Sequence, residues 1–182
     1  SRRDFIKTTA AAGGAAALMP QTIFSSQNKK NLRIGFIGTG LRGQWMLWLA
    51  TKYPDVEIPA ICDIDDGMIS AALKIIKDSG REEPKVYKKN DEDFRNLVKN
   101  EDLDGVYIAT PWEWHHPMAI AAMKAGIHVG TEVPAALTVN ECWDLVNISE
   151  NTGKFCMIME NVCYRRDVMA VLNMVRRNMF GE

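Results

Sequence analysis

The 182-residue sequence predicts an α/β fold built on a doubly wound, mostly parallel sheet. Three observations predict it. Short runs rich in β-branched residues alternate with segments of helical spacing along the chain. The first such run ends in a glycine cluster, Gly38-Thr-Gly40-Leu-Arg-Gly43, and a helical segment follows directly. The second run ends in an acid, Asp63, about 20 residues after that cluster.

The elements follow in order. "LRIGFI" (32–37) reads as a buried strand, and the segment through Lys52 carries Met46, Leu47 and Ala50 at helical spacing. "VEIPAIC" reads as the second strand. "DIDDGMISAALKIIKDSG" is a helix for which Asp65 is the better N-cap, with Asp63 the alternative. "KVYK" is a short strand, "DEDFRNLVKN" a helix and "DGVYIATP" a strongly apolar strand. "HPMAIAAMKAG" is a helix with Pro117 near its start and Gly126 as its stop. "IHVGTEVP" is the fifth strand. "TVNECWDLVNISENTG" opens with Thr138 and Glu141 at capping-box spacing, and "KFCMIMEN" is the sixth strand. "DVMAVLNMVRRNMFGE" is a last helix with Val168, Leu172, Val175 and Met179 on one stripe and Gly181 as its C-cap.

The start of the chain has a different character. "SRRDFIKTTAAAGGAAALMP" combines Arg2-Arg3, a Phe-Ile pair, an Ala/Gly-rich apolar run and Pro20. It resembles a bacterial twin-arginine export signal. The apolar run is shorter than the ~20 residues needed to span a bilayer, and no cysteine follows it to carry a lipid. The expectation is export by the twin-arginine machinery to the periplasm, with no stable membrane anchor. That route carries folded proteins, so a cofactor loaded before export is the thing to look for.

Composition narrows the classes. A formal net charge of −1 gives no electrostatic case for nucleic acid. The cysteines, Cys62, Cys142, Cys156 and Cys163, form no Cys-x-x-Cys pair, and Cys62 and Cys156 read as small buried hydrophobes. The adjacent His115 and His116 do not readily converge on one ion with Glu113, and the loop offers no other clear ligand, so no metal is expected.

The glycine cluster lies between a strand and a helix, the setting a dinucleotide requires. Gly38 permits the tight turn, Gly40 lets the backbone approach a pyrophosphate, and Gly43 lets the helix pack close. The helix N-terminus holds the phosphates. Asp63 accepts hydrogen bonds from the adenosine ribose hydroxyls and repels a 2′-phosphate; Ile64 supplies no positive charge for one. NAD is therefore expected over NADP, in a Rossmann-type domain.

At "DGVYIATP", "AAMKAGIHVGTEVPAALT" and the glycine loop, the chain resembles the Gfo/Idh/MocA family of NAD(P)-dependent sugar oxidoreductases, over about residues 31–182. Most of that family carries Glu-Lys-Pro where this chain has Glu132-Val133-Pro134, and the lysine assists proton transfer. "TPWEWHHPMA", "HVGTEVPAALTVNECWDLVN" and "MENVCYRRD" are more similar to the glycoside hydrolase family 109 branch, NAD-using α-N-acetylgalactosaminidases. That resemblance implies a set of cofactor-binding residues: Leu41-Arg42 at the pyrophosphate, Asp63 at the ribose, Trp112-Glu113-Trp114-His115 and Glu132-Val133 along the nicotinamide half, and Asn161 closing the site. Trp112 and Trp114 also read as apolar cover for the sheet edge, His115 or His116 as a helix cap, and Tyr164, close to Glu160 near the site, as a packing residue.

The resemblance further implies a glycosidase acting on N-acetylgalactosaminides by oxidation, elimination, addition and reduction, without net redox change. An exported sugar oxidoreductase is the alternative, and a sugar sensor holding NAD structurally is a third reading. The expected organisation is signal and linker (1–30), NAD-binding domain (31–165) and a helix (166–182) leading to an α+β substrate domain absent from this chain. The catalytic residues are expected beyond Glu182. The expected partner is a sugar or glycan substrate, and homo-oligomerisation is left open.

Overall fold

The structure, a computed structural model, describes residues 31–181. The twin-arginine segment lies outside the described residues. Seven strands are arranged in one sheet: β1 (Leu32–Ile37), β2 (Val56–Glu57), β3 (Ala60–Cys62), β4 (Lys85–Tyr87), β5 (Gly105–Ile108), β6 (His128–Thr131) and β7 (Cys156–Ile158). Their order is β4-β3-β1-β5-β6-β7, with β2 also pairing β1, and every pairing is parallel. The helices are α1 (Leu41–Ala50), α2 (Asp66–Asp78), α3 (Phe94–Asn100), α4 (Trp112–Lys124), α5 (Val139–Thr152) and α6 (Arg166–Arg176).

Alternation along the strands divides the core between the two faces of the sheet. Phe36 and Tyr107 pack with Leu47 of α1 and Ile69, Ala72 and Ile76 of α2. Their strand neighbours Ile37, Val106 and Ile108 pack with Phe94 and Leu97 of α3 and Met118, Ala122 and Met123 of α4. The winding reverses between β1 and β5, so the C-terminal ends of these two strands open onto a crevice, the place where open parallel sheets take ligands.

The observed elements depart from the sequence reading in three places. "VEIPAIC" is two strands, not one: Pro59 brings no N–H to the ladder, and pairing with β1 stops at Glu57 and resumes with β3 at Ile61. The helix assigned to "HPMAIAAMKAG" starts earlier, at Trp112 with Pro111 as N-cap. Pro117 then lies at the sixth position of α4, where its ring nitrogen leaves the Glu113 carbonyl without its usual intrahelical donor. The last helix ends at Arg176, and Asn178 takes a left-handed conformation (φ 54°), so Gly181 is not its cap. Elsewhere the local signals hold. Asp65 caps α2, accepting from Met68 N–H, and Thr138 and Glu141 form the capping box of α5. Burial pushes the Cys62 thiol up to about 12 and Cys156 up to about 11, so neither is a ready nucleophile.

Val168, Leu172 and Val175 on α6, and Met179 beyond its end, are exposed. Among the described residues, no helix is long and apolar enough to cross a membrane.

Asp93 anchors the start of α3. It is buried and accepts from Asn96 Nδ2 (2.7 Å) and Lys89 N–H (2.9 Å). These bonds, the Asn96 one foremost, hold its carboxyl below the usual value of 3.8. A lowered folded pKa contributes stability that is full above the unfolded pKa and is lost as pH falls through the folded one. Asp93→Ala is therefore expected to cost roughly 2 kcal/mol at pH 7. It should also shrink the stability difference between pH 5 and pH 2.5, measured by urea melts at each pH. An unchanged acid limb would mean that Asp93 is not the titrating anchor.

Candidate functional site

The crevice is floored by the loop from β1 to α1. Gly38 adopts φ +86°, and a Cβ there would lie 2.5 Å from Ala109 O. A Cβ on Gly43 would lie 2.1 Å from Gly38 O, so α1 approaches the loop at a distance only glycine allows. Gly40 differs. Its backbone is extended (φ −63°, ψ −171°), and a Cβ would meet nothing within 4 Å. The space beside Gly40 is empty of protein.

That space faces the start of α1. The helix has no capping side chain and no acid in its first turn, and Leu41 at N1 is 85% exposed. Its first N–H groups have no intrahelical partner, and the helix dipole adds positive potential there. An open cradle against an uncapped helix N-terminus fits a pyrophosphate, the group that a dinucleotide would place there.

Beside the cradle lies a cleft of about 240 Å³ lined by Gly38, Gly40, Asp63, Ile64, Met68, Asn90, Asp91, Thr110 and Trp114, among others. Among the described residues, no lysine or arginine is part of its wall. Asp63 does not cap α2. Its Oδ2 accepts from Thr39 N–H (2.6 Å) and Thr39 Oγ1 (3.0 Å), and its Oδ1 from Asp65 N–H (3.0 Å). The sequence reading passed over Thr39, the variable residue between the first two glycines. The available signal was a hydroxyl at the end of β1, next to the strand that ends in Asp63.

A second cluster joins the loop to the far side of the crevice. Arg42 Nε donates to Glu132 Oε1 at 2.7 Å, and the buried Tyr107 hydroxyl donates to the same oxygen. The Glu132 hydrogen bond raises Arg42 above its usual value, and burial followed by the Glu132 bond raises Tyr107. Tyr107 thus stays a donor and Arg42 a cation. Arg42 reaches across to the end of β6, with its Nε committed there.

The remaining sequence-derived residues are dispersed. Trp114 is half-buried and meets Phe94 edge-on at 6.1 Å, so it is both cleft wall and core cover. Trp112, 61% exposed, and Glu113 lie on the exposed first turn of α4. His115 is buried, with Nδ1 at 2.7 Å from Pro134 O and Nε2 at 2.8 Å from Thr110 O. It joins the end of β5 to the turn after β6 rather than facing the cleft. His116 caps nothing; it lies beside Glu141 and Asp144 of α5. Val133 is 41% exposed in a separate cleft with Pro134, Cys142 and Ile158. Asn161 shares another with Arg42, Trp45, Glu160 and Tyr164.

Residues 32–160 match the oxidoreductase family with an NAD-binding Rossmann fold, and residues 1–19 match the twin-arginine translocation pathway signal. The chain is 50% identical, over 198 residues, to a glycosyl hydrolase family 109 protein of Parabacteroides distasonis, covering all of this chain and 42% of that protein. It is 49% identical, over 201 residues, to an α-N-acetylgalactosaminidase of Tannerella forsythia, covering all of this chain and 43% of that protein. The chain thus spans less than half the length of these relatives. Among solved structures, scyllo-inositol dehydrogenase from Lactobacillus casei superposes with a TM-score of 0.70 at 21% identity, covering 84% of this chain and 43% of that one. Myo-inositol 2-dehydrogenase from Lactobacillus plantarum gives 0.69 at 24%, with 84% and 43% covered. At these identities the structures show the shared fold.

Proposed function

From the premise that this chain belongs to the Gfo/Idh/MocA oxidoreductase family, with its NAD-binding Rossmann fold, and carries a twin-arginine signal, we propose that it is the NAD-binding part of an exported, periplasmic glycosidase. The proposed substrates are N-acetylgalactosaminides, the class in the name of the 49% identical relative. The α1 N-terminus and the Gly40 cradle hold the pyrophosphate, and Asp63 holds the adenosine ribose. Glu132, fixed by Arg42 and Tyr107, stands at the β6 end beside the nicotinamide half. His115 acts at one remove, by holding the two backbone segments it bridges.

If NAD is held by the α1 N-terminus, the Gly40 cradle and Asp63, the chemistry it would supply is reversible oxidation of the sugar at C3, which would acidify the C2 proton and so permit elimination of the C1 substituent. The observation that carries the hydrolytic reading is Val133. At this turn most of the resembled family has a lysine that assists proton transfer, and a hydrocarbon side chain moves no proton. A redox-neutral cycle also suits export, because a compartment without an NAD pool cannot regenerate the cofactor from outside. Paired carboxylates of the usual glycosidase kind are not needed.

The test uses the full-length protein. Purified and denatured, it is expected to release NAD and not NADP. Incubated with an α-N-acetylgalactosaminide in deuterated water, it should release sugar carrying deuterium at C2, with no build-up of NADH. Accumulating NADH with unexchanged C2 would replace this reading with the sugar oxidoreductase.

A further inference from the structure

We propose that Thr39 is a positioning residue for cofactor selectivity. Its amide and hydroxyl fix the Asp63 carboxylate so that one open acceptor faces the ribose, an inference that rests on the NAD reading above. Thr39 is fully buried, so it touches no ligand itself. Its N–H and Oγ1 both donate to Asp63 Oδ2, at 2.6 and 3.0 Å. Asp65 N–H donates to Oδ1 at 3.0 Å. A carboxylate offers about four acceptor positions. The protein fills three, and the fourth, on Oδ1, remains for a ribose hydroxyl.

Thr39 is itself held from the other side. Its carbonyl accepts from Gln44 Nε2 at 2.9 Å, and Gln44 N–H donates to Gly40 O at 2.8 Å. Gln44 of α1 therefore holds Thr39, and Thr39 holds Asp63. Among the described residues no lysine or arginine lines the cleft, so selection between NAD and NADP depends on its carboxylates, Asp63 and Asp91, of which Asp63 is the one Thr39 holds. Held still, it accepts a 2′-hydroxyl and repels a 2′-phosphate. Released from the Thr39 hydroxyl, it can rotate away from both.

The experiment titrates cofactor-stripped, full-length protein with NAD and with NADP. Thr39→Val keeps the shape and removes the hydroxyl. It is expected to weaken NAD about tenfold and NADP far less, so that the NAD/NADP affinity ratio falls by about the same factor. Thr39→Ser, which keeps the hydroxyl, should restore the ratio. A purely structural role would lower both affinities together, and an unchanged ratio overturns the proposal. A Thr39→Ser variant as unselective as Thr39→Val overturns it too. If Thr39→Val does not fold, Gln44→Met is read the same way, a lowered ratio supporting and an unchanged one overturning. Wild-type protein that binds neither dinucleotide removes the NAD reading and this inference together. Wild-type binding with an unmoved ratio removes this inference alone.

Discussion

Gly40→Ala is expected to leave the fold intact and to weaken NAD binding about a hundredfold, whereas Gly43→Ala is expected to destabilise the domain itself. The two glycines share one motif but do different work. A methyl on Gly40 meets no protein atom within 4 Å, and its φ of −63° suits any residue. The methyl would instead occupy the space assigned to the pyrophosphate. Losing two hydrogen bonds to a charged group, each worth roughly 1.5 kcal/mol at the lower end, weakens binding by about a hundredfold. On Gly43 the methyl would lie 2.1 Å from Gly38 O, a backbone atom that cannot step aside. Ala is favoured over Gly in a helix by about 1 kcal/mol, but overpacking against backbone costs about 3 kcal/mol or more, so the clash wins. Thermal melts of the cofactor-free variants separate the cases. Equal melting temperatures for Gly40→Ala and Gly43→Ala would show that the close approach of α1 is not a constraint.

Asp63→Ala is expected to damage both binding and stability. It removes the ribose acceptor, lowering NAD affinity by tenfold or more and narrowing the preference over NADP. It also leaves the buried Thr39 N–H and hydroxyl without their acceptor, a cost of about 1–3 kcal/mol. Asp63→Asn is not a neutral control. With its oxygen turned to the two Thr39 donors, its NH2 must oppose the Asp65 N–H. Cofactor titration and melts of the stripped protein read the two effects separately. An unchanged melting temperature would mean that Asp63 serves the ligand alone and that the loop does not need it.

What the sequence showed follows from the range of the forces involved. Strands and helices were legible because burial imposes its period locally: Ile34 to Ile37 and Asp66 to Asp78 carry their faces in their own spacing. The glycine loop was legible for the same reason, since turn, cradle and helix start lie within six consecutive residues. The start of α4 is hard to read from spacing because the chain offers two prolines: Pro117 suggests an opening, while Pro111, with φ at −55°, is the N-cap. The family resemblance implies Arg42 at the pyrophosphate, and local spacing says nothing of its ion pair. Its carboxylate partner lies 90 positions away, and Tyr107 reaches the same Glu132 across 25 positions. Only the strand order β1-β5-β6 brings these three together, and nothing in the local spacing encodes that order.

The parallel pairing of β1 with β5 sets a schedule. Arg33 N–H bonds Asp104 Oδ2 across 71 positions of chain, and β3 and its helix must be laid down between them. Such distant closures make a chain slow to assemble, because ordering entropy is lost long before the contacts that reward it form. The crevice proposed to hold the dinucleotide is made of the ends of β1, β3 and β5. It is complete only once β1 is paired with both β3 and β5, and a cofactor bound there counts against reopening in proportion to the logarithm of its concentration over its dissociation constant. For a chain addressed to a pathway that moves folded cargo, occupancy of this crevice is a chemical record that the sheet has been completed.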